Sequence, residues 1–308
     1  MGLYRHSGRV PIAGLILCSL LLAPLAIFGG AAYSAAMVFL PFIKLKWLIS
    51  LLFAAAVGFV VGKVCESGKI RNRGFVILAT VITMGLAYYV SWGVQRFWLV
   101  VGELGFDGAI DNVGLADLLP ISLAAWVTWL FENGLWSMRG GADTIKGWPL
   151  VVLWGIEAAT LFVTSWTLAL GTYGFRPFCE ACERWTTLDV GIAELPVDAD
   201  DPAWAEVRDG RFEALRHLKI NPAEDRHARI DLATCPECET GDHVLISGVV
   251  YAVDKEGNLT ATETPIIEYL HMTREKTNEL REFAAEMNEA VELMRADEEA
   301  LSEEATDE

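Results

Sequence analysis

Arg176-Pro177-Phe178-Cys179-Glu180-Ala181-Cys182, read together with Cys235-Pro236-Glu237-Cys238, decides how this chain is organised. Each stretch holds two cysteines in C-x-x-C spacing, and a tight turn with that spacing aims two thiolates at one point. Two such turns complete a tetrahedral four-sulfur site. Cys179, Cys182, Cys235 and Cys238 are therefore the candidate metal ligands, with zinc the expected ion. Two other readings stay open: a pair of dithiol redox centres, and thiols that only pack. A redox centre wants its C-x-x-C at a helix start, where the dipole lowers a thiol pKa. Neither pair sits convincingly at such a start. His243, five residues past Cys238, is the histidine nearest a pair, and a strand position facing solvent suits it better than ligation.

Upstream of Cys179 the chain is apolar, and this sets the membrane reading. Mean hydropathy is +0.34 and 53% of residues are hydrophobic. Residues 11–42 form a run of about 30 residues, some 45 Å as a helix and longer than the roughly 30 Å hydrocarbon core. The expectation is one long helix, tilted or bent at Pro24 or Gly29-Gly30. Lys44 and Lys46 mark a turn, and spans follow at 47–64, 74–101 and 148–173. Residues 115–131 carry Asp117 and Pro120 within an apolar stretch, so they are expected to lie in the interface or re-enter rather than cross. Cys18 and Cys65 fall in the first two runs and are expected to pack.

Charge sorts the two sides. Lys63, Lys69, Arg71 and Arg73 form the densest basic cluster beside any apolar run and should face the cytoplasm. Four spans then place both termini in the cytoplasm, with Arg5, Arg9, Arg176 and Arg184 on that side and Lys44, Lys46, Arg139 and Lys146 opposite. A fifth span would move the cysteines outside, where disulfides become the rival explanation. Within the spans, Glu157 and Arg96 are the expected intramembrane polar pair, since an ionisable group at depth needs a partner.

The tail has the opposite balance. Residues 1–175 carry 11 Lys/Arg against 8 Asp/Glu, whereas residues 176–308 carry 13 against 33. So negative a tail repels phosphate backbones, which excludes a nucleic-acid partner as the leading reading. Alternation predicts strands near 183–190 and 229–234 and a hairpin over 243–270 turning at Asp254-Lys255-Glu256-Gly257. Helical spacing of Trp204, Val207, Phe212, Leu215 and Leu218 predicts a helix over 203–218, ended by Asn221-Pro222. From 273 onward Leu280, Met287, Met294 and Leu301 recur every seven residues on an acidic amphipathic helix. Its stripe is open to self-association, docking on the cysteine domain or a partner protein, with fraying expected from Ser302.

The fold class expected is thus an α-helical membrane domain, 1–175, of four transmembrane helices plus an interfacial or re-entrant helix. A small α+β domain follows over 176–272, then the amphipathic helix 273–308. The α+β domain resembles a zinc ribbon with an insertion at 186–234. Cys235-Pro236-Glu237-Cys238 matches the start of the C-P-x-C-G ribbon turn, but Glu239 stands where the glycine belongs. The 52 residues between the pairs also exceed the usual ribbon spacing of roughly 15–20. Over about 88–185 the chain is similar to uncharacterised bacterial multi-span membrane proteins. The likeness rests on Tyr88-Tyr89-Val90-Ser91-Trp92, Glu132-Asn133-Gly134-Leu135-Trp136-Ser137, Trp154-Gly155-Ile156-Glu157 and Pro177-Phe178-Cys179-Glu180-Ala181-Cys182-Glu183-Arg184-Trp185. That resemblance implies a bacterial inner-membrane location and brings no activity with it.

No P-loop, G-x-S-x-G or H-E-x-x-H occurs. The reading that follows is a non-enzymatic scaffold or recruiting module in the lipid bilayer, held by zinc at its cytoplasmic end. A small-solute or ion carrier using Glu157 and Arg96 and a membrane thiol–disulfide oxidoreductase are the alternatives.

Overall fold

Among the described residues, four helices are long and apolar enough to cross a membrane: α1 (Ile12–Phe39), α2 (Ile43–Ser67), α3 (Arg73–Asn112) and α5 (Trp148–Tyr173). The computed structural model describes residues 3–40, 43–134, 136–137, 144–174, 176–197, 201–218, 226–238, 240–253 and 257–306. Chain contacts divide it into two compact units, Ser7–Gly174 and a second made of Met1–His6 with Phe175–Glu308. The first six residues thus belong with the tail and not with the helices they precede. The expected hairpin turn at 254–256, the Asn221-Pro222 helix stop and Arg139 lie outside the described residues.

In the helical unit, α1 continues through Pro24 without a break. Lys44 and Lys46 lie inside α2 and not in a turn before it, because the helix begins at Ile43. The third helix runs 40 residues but is interrupted at Gly105, whose φ of 77° only glycine adopts without strain. The short helix α4 (Pro120–Asn133), preceded by a 3-10 turn at Leu115–Leu118, has 14 residues, too few to span. Strands β1 (Trp136–Ser137) and β2 (Thr144–Ile145) then pair before α5.

Small residues let these helices approach closely. A Cβ on Gly58 would lie 2.4 Å from the Ser165 carbonyl oxygen, and one on Gly62 would lie 2.7 Å from that of Ala169. Gly58-x-x-x-Gly62 on α2 therefore meets Ser165-x-x-x-Ala169 on α5, a small-residue seam suited to packing where lipid removes the hydrophobic drive between helices. At one end of the unit the α2–α3 turn is tied to both chain exits. Arg71 N donates to Arg9 O at 2.9 Å and Tyr173 Oη to Ile70 O.

In the tail unit, the hairpin β3 (Phe178–Cys179) with β4 (Arg184–Trp185) leads into one antiparallel sheet of β5 (Thr187–Leu195), β6 (Arg226–Thr234), β7 (Asp242–Val253) and β8 (Leu259–Met272), in that order. Within 186–234, expected as an insertion, β5 and β6 are full members of the sheet. Alternation drives this: Ile230, Leu232, Val244, Ile246, Ile267 and Leu270 point to one face and are buried. The expected helix over 203–218 is split, with α6 (Ala203–Arg208) ending at Gly210 (φ 87°) and a 3-10 turn following at Phe212–His217. Trp204, Val207 and Leu215 still reach the common core.

The last helix, α7 (Arg274–Thr306), docks on this core through Leu280, Phe283 and Ala284. Arg281 pairs with Asp189, and Asn288 Nδ2 donates to Ile192 O at 2.9 Å, which fixes the helix along β5. The N-terminal segment joins the sheet edge: Leu3 bridges to Leu270, and Tyr4 N donates to Tyr269 O at 2.9 Å.

Candidate metal centre

The Sγ atoms of Cys179, Cys182, Cys235 and Cys238 all lie within 4.8 Å of one another. A metal–sulfur bond of about 2.3 Å in a tetrahedron gives sulfur–sulfur edges of roughly 3.8 Å. Cys179 Sγ lies 3.4 Å from Cys238 Sγ, far beyond a disulfide bond of about 2.05 Å. All four are free thiols. The arrangement can hold a metal ion.

Each turn is placed by a strand. Cys179 closes β3 and Arg184 opens β4, so the first turn is the tip of a hairpin, with Glu183 at φ 49° completing it. Thr186 Oγ1 and N both bond to Pro177 O, which holds the base of that hairpin closed. The second turn joins the end of β6 to the start of β7. Adjacent antiparallel strands thus bring Cys235 and Cys238 back beside the hairpin despite the 52 intervening residues.

Gly241 makes the closure possible. A Cβ there would sit 3.0 Å from Cys179 Sγ and 3.0 Å from the Cys235 Cβ.

Asp242 and Arg274 brace the second turn, and sequence reasoning missed both. Asp242 is fully buried, and its Oδ1 accepts from Cys235 N at 3.1 Å. Arg274, the first residue of α7, donates to Asp242 Oδ2 at 2.6 Å and to the Cys235 and Cys238 carbonyls at 2.8 and 2.9 Å. One guanidinium fork therefore ties helix, strand and turn together. The only sequence signal was an Asp just before a strand and an Arg just inside a helix, which is too common to single out.

The thiols are unequal. The Cys238 thiol is brought down to about 6 by hydrogen bonds from the Thr240 backbone and hydroxyl. That of Cys182 is pushed up to about 12, chiefly by its hydrogen bond to Cys238. Burial raises Cys179. The thiolate is the form that binds a metal, and the Thr240 hydrogen bonds favour it at Cys238.

Around the site, the Tyr4 hydroxyl accepts from Phe178 N at 3.0 Å, and its ring packs edge-on against His243 at 5.1 Å. His243 is buried, not solvent-facing as expected, and its Nδ1 lies 3.1 Å from Gly241 O. It is not among the clustered ligands.

Glu157 and Arg96 do not meet. The Arg96 guanidinium donates to Asp117 Oδ1 at 2.9 Å, and Asp117 Oδ2 accepts from Gly114 N, so this arginine braces the 3-10 turn. Glu157 instead accepts from the Tyr33 hydroxyl on α1. Tyr33 also lies 2.8 Å from Ser50 Oγ on α2. The expectation failed because helical depth placed both charges in one leaflet without saying which way either side chain faced.

Comparison with family models, curated proteins and solved structures found no match for the chain.

Proposed function

We propose that this chain is a multi-pass protein of a bacterial inner membrane whose cytoplasmic domain, stabilised by one zinc ion on Cys179, Cys182, Cys235 and Cys238, acts as a non-enzymatic recruiting or regulatory module. The observation that carries the reading is the convergence of four unbridged sulfurs from two distant turns on one point. A four-thiolate tetrahedron suits zinc, and a closed set of four protein ligands is structural, with no position left for a substrate. The domain then takes the part of a zinc ribbon whose sheet has been extended by β5 and β6.

Topology supports the cytoplasmic side. Residues 3–6 group with the tail unit, which favours a reading in which α1 begins and α5 ends on the same side of a bilayer. The α2–α3 turn, bonded to Arg9 and Tyr173, brings the basic cluster to that same end. Positive charge there marks the cytoplasmic face, where thiols stay reduced. Recruitment would use the acidic outer face of α7, since Leu280, Phe283 and Ala284 are already spent on the core while Leu293 is exposed.

The test is metal content of the full chain purified in detergent. One zinc per chain is expected, lost in Cys179→Ser and Cys235→Ser. Metal-free protein carrying a reducible disulfide would reject the reading in favour of thiol–disulfide chemistry.

A further inference from the structure

Between α1, α3 and α5 lies a cavity of about 20 Å³, room for one water-sized particle. Its polar wall includes the Glu157 carboxyl, on a residue 6% exposed, and the Ser34 hydroxyl, on a residue 3% exposed. Among the described residues Ser34 Oγ has no hydrogen-bond partner, which is rare for a buried hydroxyl. Ser91, Gln95 and Met37 also line it, and the rest of the wall is aromatic. Trp92 meets Trp154 edge-on at 4.8 Å and Tyr88 at 5.9 Å.

We propose that this cavity binds one small monovalent cation, with Glu157 as its charged ligand and Ser34 as a hydroxyl ligand. A carboxylate and electron-rich rings both favour positive charge. A single carboxylate neutralises a single charge, whereas calcium takes six to eight oxygens and magnesium a full octahedron. The cavity's size excludes alkylammonium ions and solutes larger than water. A proton competes for the same carboxylate. The groups that act on Glu157 are Tyr33 on α1, Tyr88 on α3 and Lys46 on α2. Lys46 acts through space and does not line the cavity, so it is the rival counter-charge. The proposal is independent of the zinc domain's role.

The test uses the full chain in detergent with its metal in place. Dicyclohexylcarbodiimide attacks protonated carboxyls in apolar surroundings, and mass spectrometry reads its attachment to Glu157. Labelling is compared at fixed pH in sodium, potassium, ammonium and N-methylglucamine chlorides of equal ionic strength. At least one of the first three is expected to slow labelling relative to the bulky control. Ser34→Ala should raise the half-protecting concentration roughly tenfold, the effect of one lost oxygen ligand. Equal labelling in all four salts, or unchanged protection in Ser34→Ala, overturns the proposal and leaves Lys46 as the counter-charge. If Glu157 resists the reagent, the same salts are read by thermal midpoint, where a shift in wild type absent from Glu157→Gln is expected. No shift in either, or equal shifts in both, again overturns it.

Discussion

Replacing Arg274 with alanine removes a side chain that binds Asp242 and both carbonyls of the second cysteine turn. The consequence follows from burial. Asp242 is fully enclosed while the Arg274 side chain is 33% exposed, so the deletion leaves a buried carboxylate without its guanidinium, with the Cys235 amide still donating to it. Breaking such a pair from one side costs about 3–5 kcal/mol, much of it from the charge left behind. Part of that cost is relieved if the turn opens, and opening exposes Cys235 and Cys238. Residues that orient ligands in this way change metal affinity by roughly 10- to 100-fold. Arg274→Ala is therefore expected to release zinc 10- to 100-fold faster to a chromogenic chelator, with the full chain in detergent at neutral pH. Arg274→Lys should fall between, because an ammonium can pair with Asp242 but lacks the planar fork that also reaches two carbonyls. Arg274→Ala combined with Asp242→Asn should recover part of the loss, since the buried charge is gone while an acceptor for Cys235 N remains. Release from Arg274→Ala within twofold of wild type would refute the view that this arginine holds the turn.

Other substitutions probe the same structure. Gly241→Ala places a Cβ 3.0 Å from Cys179 Sγ and should weaken metal retention at least as much as Arg274→Lys in the same chelator assay. Gly58→Val forces α2 away from Ser165 O, where even a Cβ would sit at 2.4 Å, and should lower the thermal midpoint of the helical unit without changing zinc content. His243 is held down to about 4 by burial, with His271 adding to the effect, against about 6.5 when unfolded. The folded ring binds a proton less readily, so its contribution is full above about pH 6.5 and is lost as pH falls toward 4. The loss, on the order of 2 kcal/mol after allowing for partial solvation, should shrink in His243→Phe when acid unfolding curves are compared.

Much of this architecture was legible because apolar length and period-two alternation are local signals. The spans at 148–173 and 74–101, the hairpin strands and the heptad helix all declare themselves within short windows. The cysteine set was legible for a different reason: C-x-x-C is a short pattern with few uses. What escaped was relational. Lys44 and Lys46 looked like a turn because they are charged, yet α2 begins at Ile43 and Lys46 O accepts from the Ser50 hydroxyl one helical turn on. Arg96 and Glu157 share a depth but face different neighbours, Asp117 and Tyr33, and no one-dimensional reading fixes facing. The Gly58-x-x-x-Gly62 seam was readable in principle and went unread, since its meaning depends on Ser165 and Ala169 more than a hundred residues away. Residues 203–218 read as one helix because their apolar spacing survives the break at Gly210; the core they fill is the same either way.

Metal removal should affect the tail unevenly. Clamping the two turns closes a loop of about 55 residues, worth roughly 4 kcal/mol by the chain-entropy estimate for a cross-link. That is large for a small domain, yet the apolar core formed by β6, β7, α6 and α7 contains none of the four cysteines. The sheet and the turns are therefore held by different forces. Stripping zinc with a chelator should accelerate amide exchange by orders of magnitude over 178–186 and 235–243, and over residues 3–6, which reach the first turn through the Tyr4 hydroxyl. Exchange in the centre of β6 and β7, at Ile230 and Ile246, should change little, because their ladder is flanked by β5 and β8 and sealed by Leu280 and Phe283. If those central amides exchange as fast as the turns once the metal is gone, the domain unfolds as a unit and the metal, not the apolar core, is what specifies the sheet.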